Sequence, residues 1–280
     1  MKNLSVFGST GFIGNKFTQM YPENVIKIDR NSRHPESKEV LYLISTVDNY
    51  NVFHDVHLDV ETNLTILLET LENCREKDLV FNFVSSWFVY GNTEDLPANE
   101  ESYCNPKGFY SITKRTAEQL LISYCETFDI KYRIFRLCNV CGFEDSKVSI
   151  KKNALQYLIG EIVNNRDVNL YDGGTDIRDF MDVEDVCSAI KLCIDKGEVN
   201  KVFNIGSGIP RKIGDIMDYV KKKSKSTSKL TPIQRPKFHE IVQVKDMYLD
   251  VSRIRQLGFK PKIDFMEKID TMIEKYKEKK

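Results

Sequence analysis

The sequence predicts a doubly wound α/β fold: a parallel sheet with helices on both faces and a smaller C-terminal lobe. Three observations carry this. Short apolar runs alternate with amphipathic helical stretches along the 280 residues, the order expected of βα units. The first run, Leu4–Phe7, leads into a glycine-spaced loop and then a helix. The run Leu79–Val84 is apolar throughout, as a strand covered on both faces should be.

Composition narrows the function classes. The 41 basic and 41 acidic residues balance, which argues against nucleic acid or an anionic membrane as a bulk partner. No apolar run approaches the roughly 20 residues of a membrane span. The N-terminal stretch is too short and too polar for a signal peptide and reads as a strand. Seven scattered cysteines, an odd number, fit a reduced compartment, so a cytoplasmic protein is expected. Cys138 and Cys141 form a lone Cys-x-x-Cys at a strand end, read as structural; His54 and His57 read as solvated or turn-capping. No metal site is expected.

The first strand runs into Gly8-Ser-Thr-Gly11-Phe12-Ile13-Gly14, followed by a helix from Asn15. Glycines there allow a sharp turn and close approach to a pyrophosphate, and the helix N-terminus offers N–H groups to it. The strand–loop–helix context makes the spacing a dinucleotide-binding signal. A second strand, 24–28, ends at Asp29. An acid there suits the adenosine ribose hydroxyls and favours NAD; Arg30 and Arg33 leave NADP as the alternative.

Tyr110-Ser-Ile-Thr-Lys114 lies in an amphipathic stretch with an apolar stripe at Tyr110, Ala117, Leu120, Leu121 and Tyr124. Residues four apart share a helix face. A lysine ammonium beside a phenol should lower the tyrosine pKa from about 10 and let it exchange a proton with an alcohol or ketone.

The glycine spacing together with Tyr110 and Lys114 resembles the extended short-chain dehydrogenase/reductase family, whose members are mostly nucleotide-sugar epimerases, dehydratases, decarboxylases and reductases. The resemblance implies a Rossmann-type sheet and assigns further roles. Ser86 lies five residues before Gly91, where the family carries its catalytic serine or threonine. Leu43, Ile44 and Ser45 resemble the small-residue segment under the cofactor, and Asn63 stands where the family buries an asparagine near the site. Lys114 would also hold the nicotinamide ribose. Trp87 and Phe88 follow Ser86 in place of the acids of family dehydratases and decarboxylases, so both reactions are disfavoured. Arg136-Leu-Cys-Asn139-Val-Cys-Gly142 and Gly173-Gly174-Thr-Asp-Ile-Arg178-Asp179-Phe match two further family motifs. They make Asn139 and Arg178 candidate ligands of the sugar diphosphate, with an Arg178 ion pair to Asp176 or Asp179 as the other reading. After Arg235-Pro236, the chain departs from the family's Gly-Asp with Lys237 and Phe238, leaving base recognition unread.

The family usually places a helix, a strand and another helix between Asp29 and the strand at 39–44; here only about ten residues intervene. A third strand, its crossover helix and the aspartate that contacts adenine are therefore expected to be missing. The expected division is a dinucleotide-binding domain of 1–142 with 181–206, and a substrate lobe of 143–180 with 207–280. The expected activity is NAD(P)-dependent oxidoreduction at C4 of a nucleotide-diphosphate sugar, as an epimerase or alternatively a 4-keto-sugar reductase. A non-catalytic NAD(P)-binding regulator is the rival from another class. The family also implies a homodimer through helices near 59–75 and 109–126.

Overall fold

The computed structural model describes residues 3–75, 77–143 and 153–278. Met1 and Lys2 of the expected first strand, the segment 144–152 at the expected domain boundary and the last two lysines of the charged tail lie outside them.

Six parallel strands form the central sheet: β1 (Leu4–Phe7), β2 (Val25–Lys27), β3 (Glu39–Tyr42), β4 (Val80–Ser86), β5 (Lys131–Leu137) and, after four short strands elsewhere, β10 (Lys201–Ile205). Their order is β10-β5-β4-β3-β1-β2. Side chains alternate between faces, as the pleat requires. Val40 and Tyr42 of β3 pack on one side with Phe81 and Phe83 of β4, against Leu67 and Leu71 of α3 (Ile66–Glu72) and Ala117 and Leu121 of α4 (Phe109–Thr127). Leu41 faces the other way, into a cluster with Phe17 of α1 (Phe12–Met20) and Val186 and Ile190 of α6 (Val183–Lys196). That second cluster also takes in Val244, Met247, Leu249, Val251 and Ile254 from late in the chain.

The shortened segment behaves as expected. β2 is the edge strand, and residues 29–38 cross β1 without a helix. Ser5 stitches this crossing in place: its N–H donates to Ser37 Oγ at 2.8 Å, and its own Oγ accepts from the Glu36 N–H at 2.9 Å. Helix α1 starts at Phe12, about a turn earlier than the sequence suggests, since Gly11 itself takes the N-cap. The helix expected at 59–69 is α2 (Leu58–Val60) continued into α3 through a π turn over Glu61–Thr65.

The smaller lobe wraps α5 (Ala154–Val163), α7 (Ile213–Ser224) and α10 (Phe265–Glu278) around Ile159, Ile162, Met217, Val220, Ile269 and Met272. Two small sheets edge it. One pairs β7 (Val168–Tyr171) with β12 (Leu230–Ile233); the other sets β8 (Ile177–Arg178) between β11 (Arg211–Lys212) and β13 (Asp246–Met247). The remaining pair, β6 (Asn139–Cys141) with β9 (Phe180–Asp182), continues from β5 toward α6. All seven cysteines are free, and Cys138 and Cys141 are both buried, in keeping with a structural role. His54 and His57 are exposed.

One polar row runs through the sheet interior. Arg133 Nη1 donates to Glu39 Oε1 and Asn82 Oδ1, each at 3.0 Å, joining three adjacent strands, and all three residues are buried. Removing one partner of such a pair strands a buried charge. Arg133→Met should therefore cost about 3–5 kcal/mol in urea unfolding, with part recovered when Glu39→Gln is added. Equal stability of the single and double variants would show that the pair is not energetically coupled.

Candidate active site

Helix α4 is the wall of the site. Its N-terminus is set by Gly108, against which Asn49 packs so closely that a Cβ would lie 2.1 Å from the Asn49 Oδ1. The Ser111 hydroxyl accepts from the Gly108 N–H at 3.0 Å. From there Tyr110, Thr113, Lys114, Ala117, Glu118 and Leu121 line the buried side, the spacing of one helix face. Strand β4 ends opposite, at Ser86, whose Oγ accepts from the Phe88 N–H at 3.3 Å. The hydroxyls of Ser86 and Ser45 lie near enough to the Tyr110 phenol to lower its pKa. Phe88 stands edge-on to the same ring at 6.0 Å. Ser86 and Tyr110, 24 residues apart, thus meet as the sequence suggested.

The charge state differs from the expectation. Burial pushes the Tyr110 phenol up to about 12; the hydroxyls of Ser86 and Ser45 pull down, while Asp59 and Asp48 push up. Lys114 does not act on it. Its ammonium donates to the Val84 carbonyl at 2.7 Å and sits 4.1 Å from the Phe83 ring centre. Burial brings the lysine down to about 7, opposed by Glu118. Shared helical face alone did not place the ammonium at the phenol, because a buried ammonium takes the nearest strong acceptor, here a strand-end carbonyl.

Behind Tyr110 lies a polar network that the sequence only partly disclosed. Asn63 is buried, as its resemblance implied. Its Oδ1 accepts from Ser45 Oγ at 3.0 Å and the Thr46 N–H at 2.9 Å, and its Nδ2 donates to Thr46 at 2.8 Å and Thr113 at 2.9 Å. Asp59, also buried, accepts from Thr46 Oγ1 and from Asn51 Nδ2. Asp59 was not singled out in the sequence: it stands at the exposed-looking start of a helix. Asp59 and Asn63, four residues apart on one helix face, both turn inward, with a π turn beginning between them.

The glycine loop is built to bring its backbone close to the strand ends. Gly8 has φ +80°, and a Cβ on it would meet the Ile44 N and Leu43 backbone at 3.1 Å. A Cβ on Gly14 would fall 2.2 Å from the Gly8 carbonyl oxygen, so only glycine lets α1 start there. Phe12 and Ile13 pack against the apolar cluster below the loop. Leu43, Ile44 and Ser45 are half-buried beside Gly8. Asp29 is exposed at the end of β2, with Oδ1 accepting from the Asn31 N–H at 2.9 Å. Arg30 is exposed beside it; Arg33 is drawn away to Glu69 at 2.8 Å. These features fit a dinucleotide: a narrow loop, a helix N-terminus, and an acid at the second strand end.

On the smaller lobe's side, Trp87 is buried and stacks on Phe88 at 3.9 Å, so neither position offers an acid or base. The Arg178 guanidinium lies 5.4 Å from the Trp87 ring centre. It is buried and donates to the carbonyls of Ile177, Val244 and Lys245, and it pairs with Asp176 at 3.3 Å. Of the two ion pairs the sequence left open, the one to Asp176 forms. Asp179 instead accepts from the backbone of Ser207 and Gly208 at 3.0 Å each. Arg235, passed over in the sequence because the residues after it depart from the familiar pattern, meets Asp176 from the other side and pairs with Asp172 at 2.5 Å. Asn139 donates its Nδ2 to the Asp179 carbonyl at 3.0 Å. A cavity of about 330 Å³ opens beside Phe109, lined by Asn49, Val52, Phe53, Lys107, Phe238, Ile241 and Val242.

Known proteins match the chain along most of its length. Residues 37–206 match the NAD dependent epimerase/dehydratase family. The chain is 25% identical over 300 residues to a putative UDP-glucose 4-epimerase of Methanocaldococcus jannaschii, covering 96% of each chain. Among solved structures, a UDP-glucose 4-epimerase of Thermotoga maritima with UDP-glucose superposes with a TM-score of 0.88 at 22% identity, over 99% of both chains. RMD from Pseudomonas aeruginosa, complexed with NADPH, superposes at 0.86 and 21% identity over the whole of both chains. The two solved structures share the fold.

The depressed Lys114 gives stability a pH dependence. The unfolded lysine, near 10.5, binds a proton between pH 7 and 10.5 that the folded one, near 7, has released. The lysine's contribution therefore makes stability rise as pH increases through that window. Urea midpoints measured from pH 6.5 to 9.5 should climb more steeply for the wild type than for Lys114→Met. Parallel profiles would mean that the folded lysine keeps an ordinary pKa.

Proposed function

The chain belongs to the NAD dependent epimerase/dehydratase family, and on that premise we propose that it carries out NAD(P)-dependent oxidoreduction at C4 of a nucleotide-diphosphate sugar, as an epimerase. The observation that carries the reading is the meeting of the Ser86 and Tyr110 hydroxyls at the carboxyl end of β4, followed by two stacked aromatic residues where a dehydratase would need acids. Ligand clefts of open α/β sheets lie at such strand ends.

The roles follow from the geometry. Ser86 holds the sugar oxygen in line with the Tyr110 phenol. Tyr110 is protonated at neutral pH, the state required to give a proton to a keto oxygen. In the other direction the phenol must take the alcohol's proton as phenolate, which a protonated Lys114 turned from the Val84 carbonyl toward it would favour. The nicotinamide, when bound, supplies hydride acceptance and hydride return. Gly8, Gly11, Gly14 and the α1 N-terminus would hold its pyrophosphate, Asp29 and Arg30 its adenosine end, Leu43, Ile44 and Ser45 the middle, and Lys114 its nicotinamide ribose. Trp87, Asn139, Arg178 and Arg235 would face the sugar nucleotide. The two-lobe division, residues 1–142 with 181–206 and 143–180 with 207–280, belongs to the same proposal, as does a cytoplasmic location; among the described residues no helix is long and apolar enough to cross a membrane.

Tyr110→Phe should lower turnover of a UDP-hexose substrate by about 10²–10⁴-fold while leaving NAD binding intact. Activity within a few-fold of wild type sinks the assignment. NAD released in near-stoichiometric amount on denaturing fresh protein supports the epimerase. Protein that instead takes up NADPH reversibly and reduces a 4-keto sugar supports the reductase.

We also propose a homodimer through α3 and α4, which expose Leu68, Phe109 and Ile112 alongside Val60 of α2. Sedimentation equilibrium should return the mass of two chains; a mass of one at micromolar concentration would rule it out.

A further inference from the structure

One contact joins the two walls of the cleft directly. The Tyr50 hydroxyl and the His239 Nε2, 189 residues apart in the chain, are hydrogen-bonded. Tyr50 lies in a tight turn after β3, Asn49–Phe53, and His239 in the short helix α8 (Lys237–Val242) of the smaller lobe. Each end starts from a wall of the site. Asp48, whose Oδ1 accepts from the Tyr50 N–H at 2.7 Å, is near enough to Tyr110 for its charge to act on the phenol. Arg235, whose charge acts on the His239 ring, pairs with Asp176, which in turn holds Arg178 beside Trp87. The contact therefore runs from the Tyr110 wall to the Arg178 wall, across whatever lies between them.

Its two ends are held unequally. The turn is fixed on either side of Tyr50: Asn49 packs on Gly108 at the start of α4, and Asn51 Nδ2 donates to the buried Asp59 at 2.9 Å. Helix α8 rests on aromatic contacts, Phe238 against Tyr50 and Phe53, and His239 edge-on to Tyr50 and Tyr171. Its Lys237, Glu240 and Ile241 are exposed. The joint is not close-packed, because the cavity of about 330 Å³ lies in it, between Phe53, Phe109, Phe238 and Ile241. Gaps forfeit dispersion contacts, so these apolar surfaces part at lower cost than a filled core. The hydrogen bond then carries much of the closure. Burial pushes the Tyr50 phenol up to about 12, so it keeps its proton; burial, aided by Arg235, lowers His239, so its neutral ring accepts.

We propose that Tyr50 and His239 form a latch: their hydrogen bond fastens α8 of the smaller lobe to the turn after β3, and a sugar nucleotide enters and leaves when it opens. This rests on the proposed nucleotide-sugar site. A latch and a direct contact with the ligand differ in their kinetics. Loosening a latch that is the same with and without ligand speeds entry and exit together and leaves affinity unchanged. Removing a contact with the ligand speeds exit alone.

Stopped-flow binding of UDP-glucose to the full chain tests it, read by Trp87, which is the chain's one tryptophan and lies beside Arg178. Tyr50→Phe removes the donor and keeps the ring. It should raise the association and dissociation rates together by about threefold to tenfold, the worth of one hydrogen bond, while Kd moves by less than about twofold. His239→Phe removes the acceptor and should do the same; it serves if the first variant folds poorly. The double variant should add nothing further, because both substitutions remove one shared bond. Unchanged rates in a folded variant overturn the latch. So does a rise confined to dissociation, which would make Tyr50 a direct contact of the sugar nucleotide, and so does an absence of UDP-glucose binding in wild type and variants. Linked rate changes in a protein that turns over no nucleotide sugar would remove the catalytic reading and leave the latch standing. Turnover in the wild type with unmoved binding rates in the variants would do the reverse.

Discussion

The site depends on one constraint: α4 lies against β4 with a lysine on its inner face. Lys114 is buried beneath the carboxyl end of the central strand β4, where an ammonium is cut off from bulk water, and it is held by the Val84 carbonyl and the Phe83 ring. That anchoring fixes the rotation of α4 about its axis. Once the lysine points at Val84, Tyr110 one turn earlier points at Ser86, two residues further along the same strand. The placing of Tyr110 beside Ser86 is thus a consequence of where α4 can seat its one buried cation.

A second buried group keeps the seating firm. Glu118, one turn beyond Lys114, is fully buried and bridges Arg136 of β5 at 2.8 Å and Arg115 at 2.7 Å. Burial alone would raise its pKa, but Arg136 and its hydrogen bonds hold it below the usual carboxylate range, while the same pairing holds Arg136 well above its ordinary value. Helix α4 is therefore tied to β4 through Lys114 and to β5 through Glu118. Ala117, Leu121 and Cys125 on the same inner face are apolar and close the gap.

On the other side of the site, the proposed cofactor and sugar-nucleotide regions are organised by contrasting means. The glycine loop excludes side chains, so its specificity is steric. The arginine cluster is full of side chains, so its specificity is electrostatic. Between them the crossing segment 29–38 leaves the sheet with β2 at its edge, and the adenosine end of a dinucleotide would meet an open margin with Asp29 and Arg30 exposed.

Much of this was legible in the chain itself. The alternation of strands and helices and the glycine spacing follow from local rules, because period and turn chemistry are local properties, while the missing strand after Asp29 and the pairing of Ser86 with Tyr110 were implied by the family resemblance. What lay beyond the sequence is long-range. That Asp59 is buried with Asn63, and that a π turn follows it, no pattern announced. Which acceptor Lys114 takes was decided by how deeply α4 is buried, and burial reversed the expected shift on Tyr110. Arg178 and Arg235 are 57 residues apart in the chain, and only the packing of β8 against the segment around Val244 brings Asp176 between them. A sequence states which charges exist; the tertiary structure decides which of them meet, and how far from water.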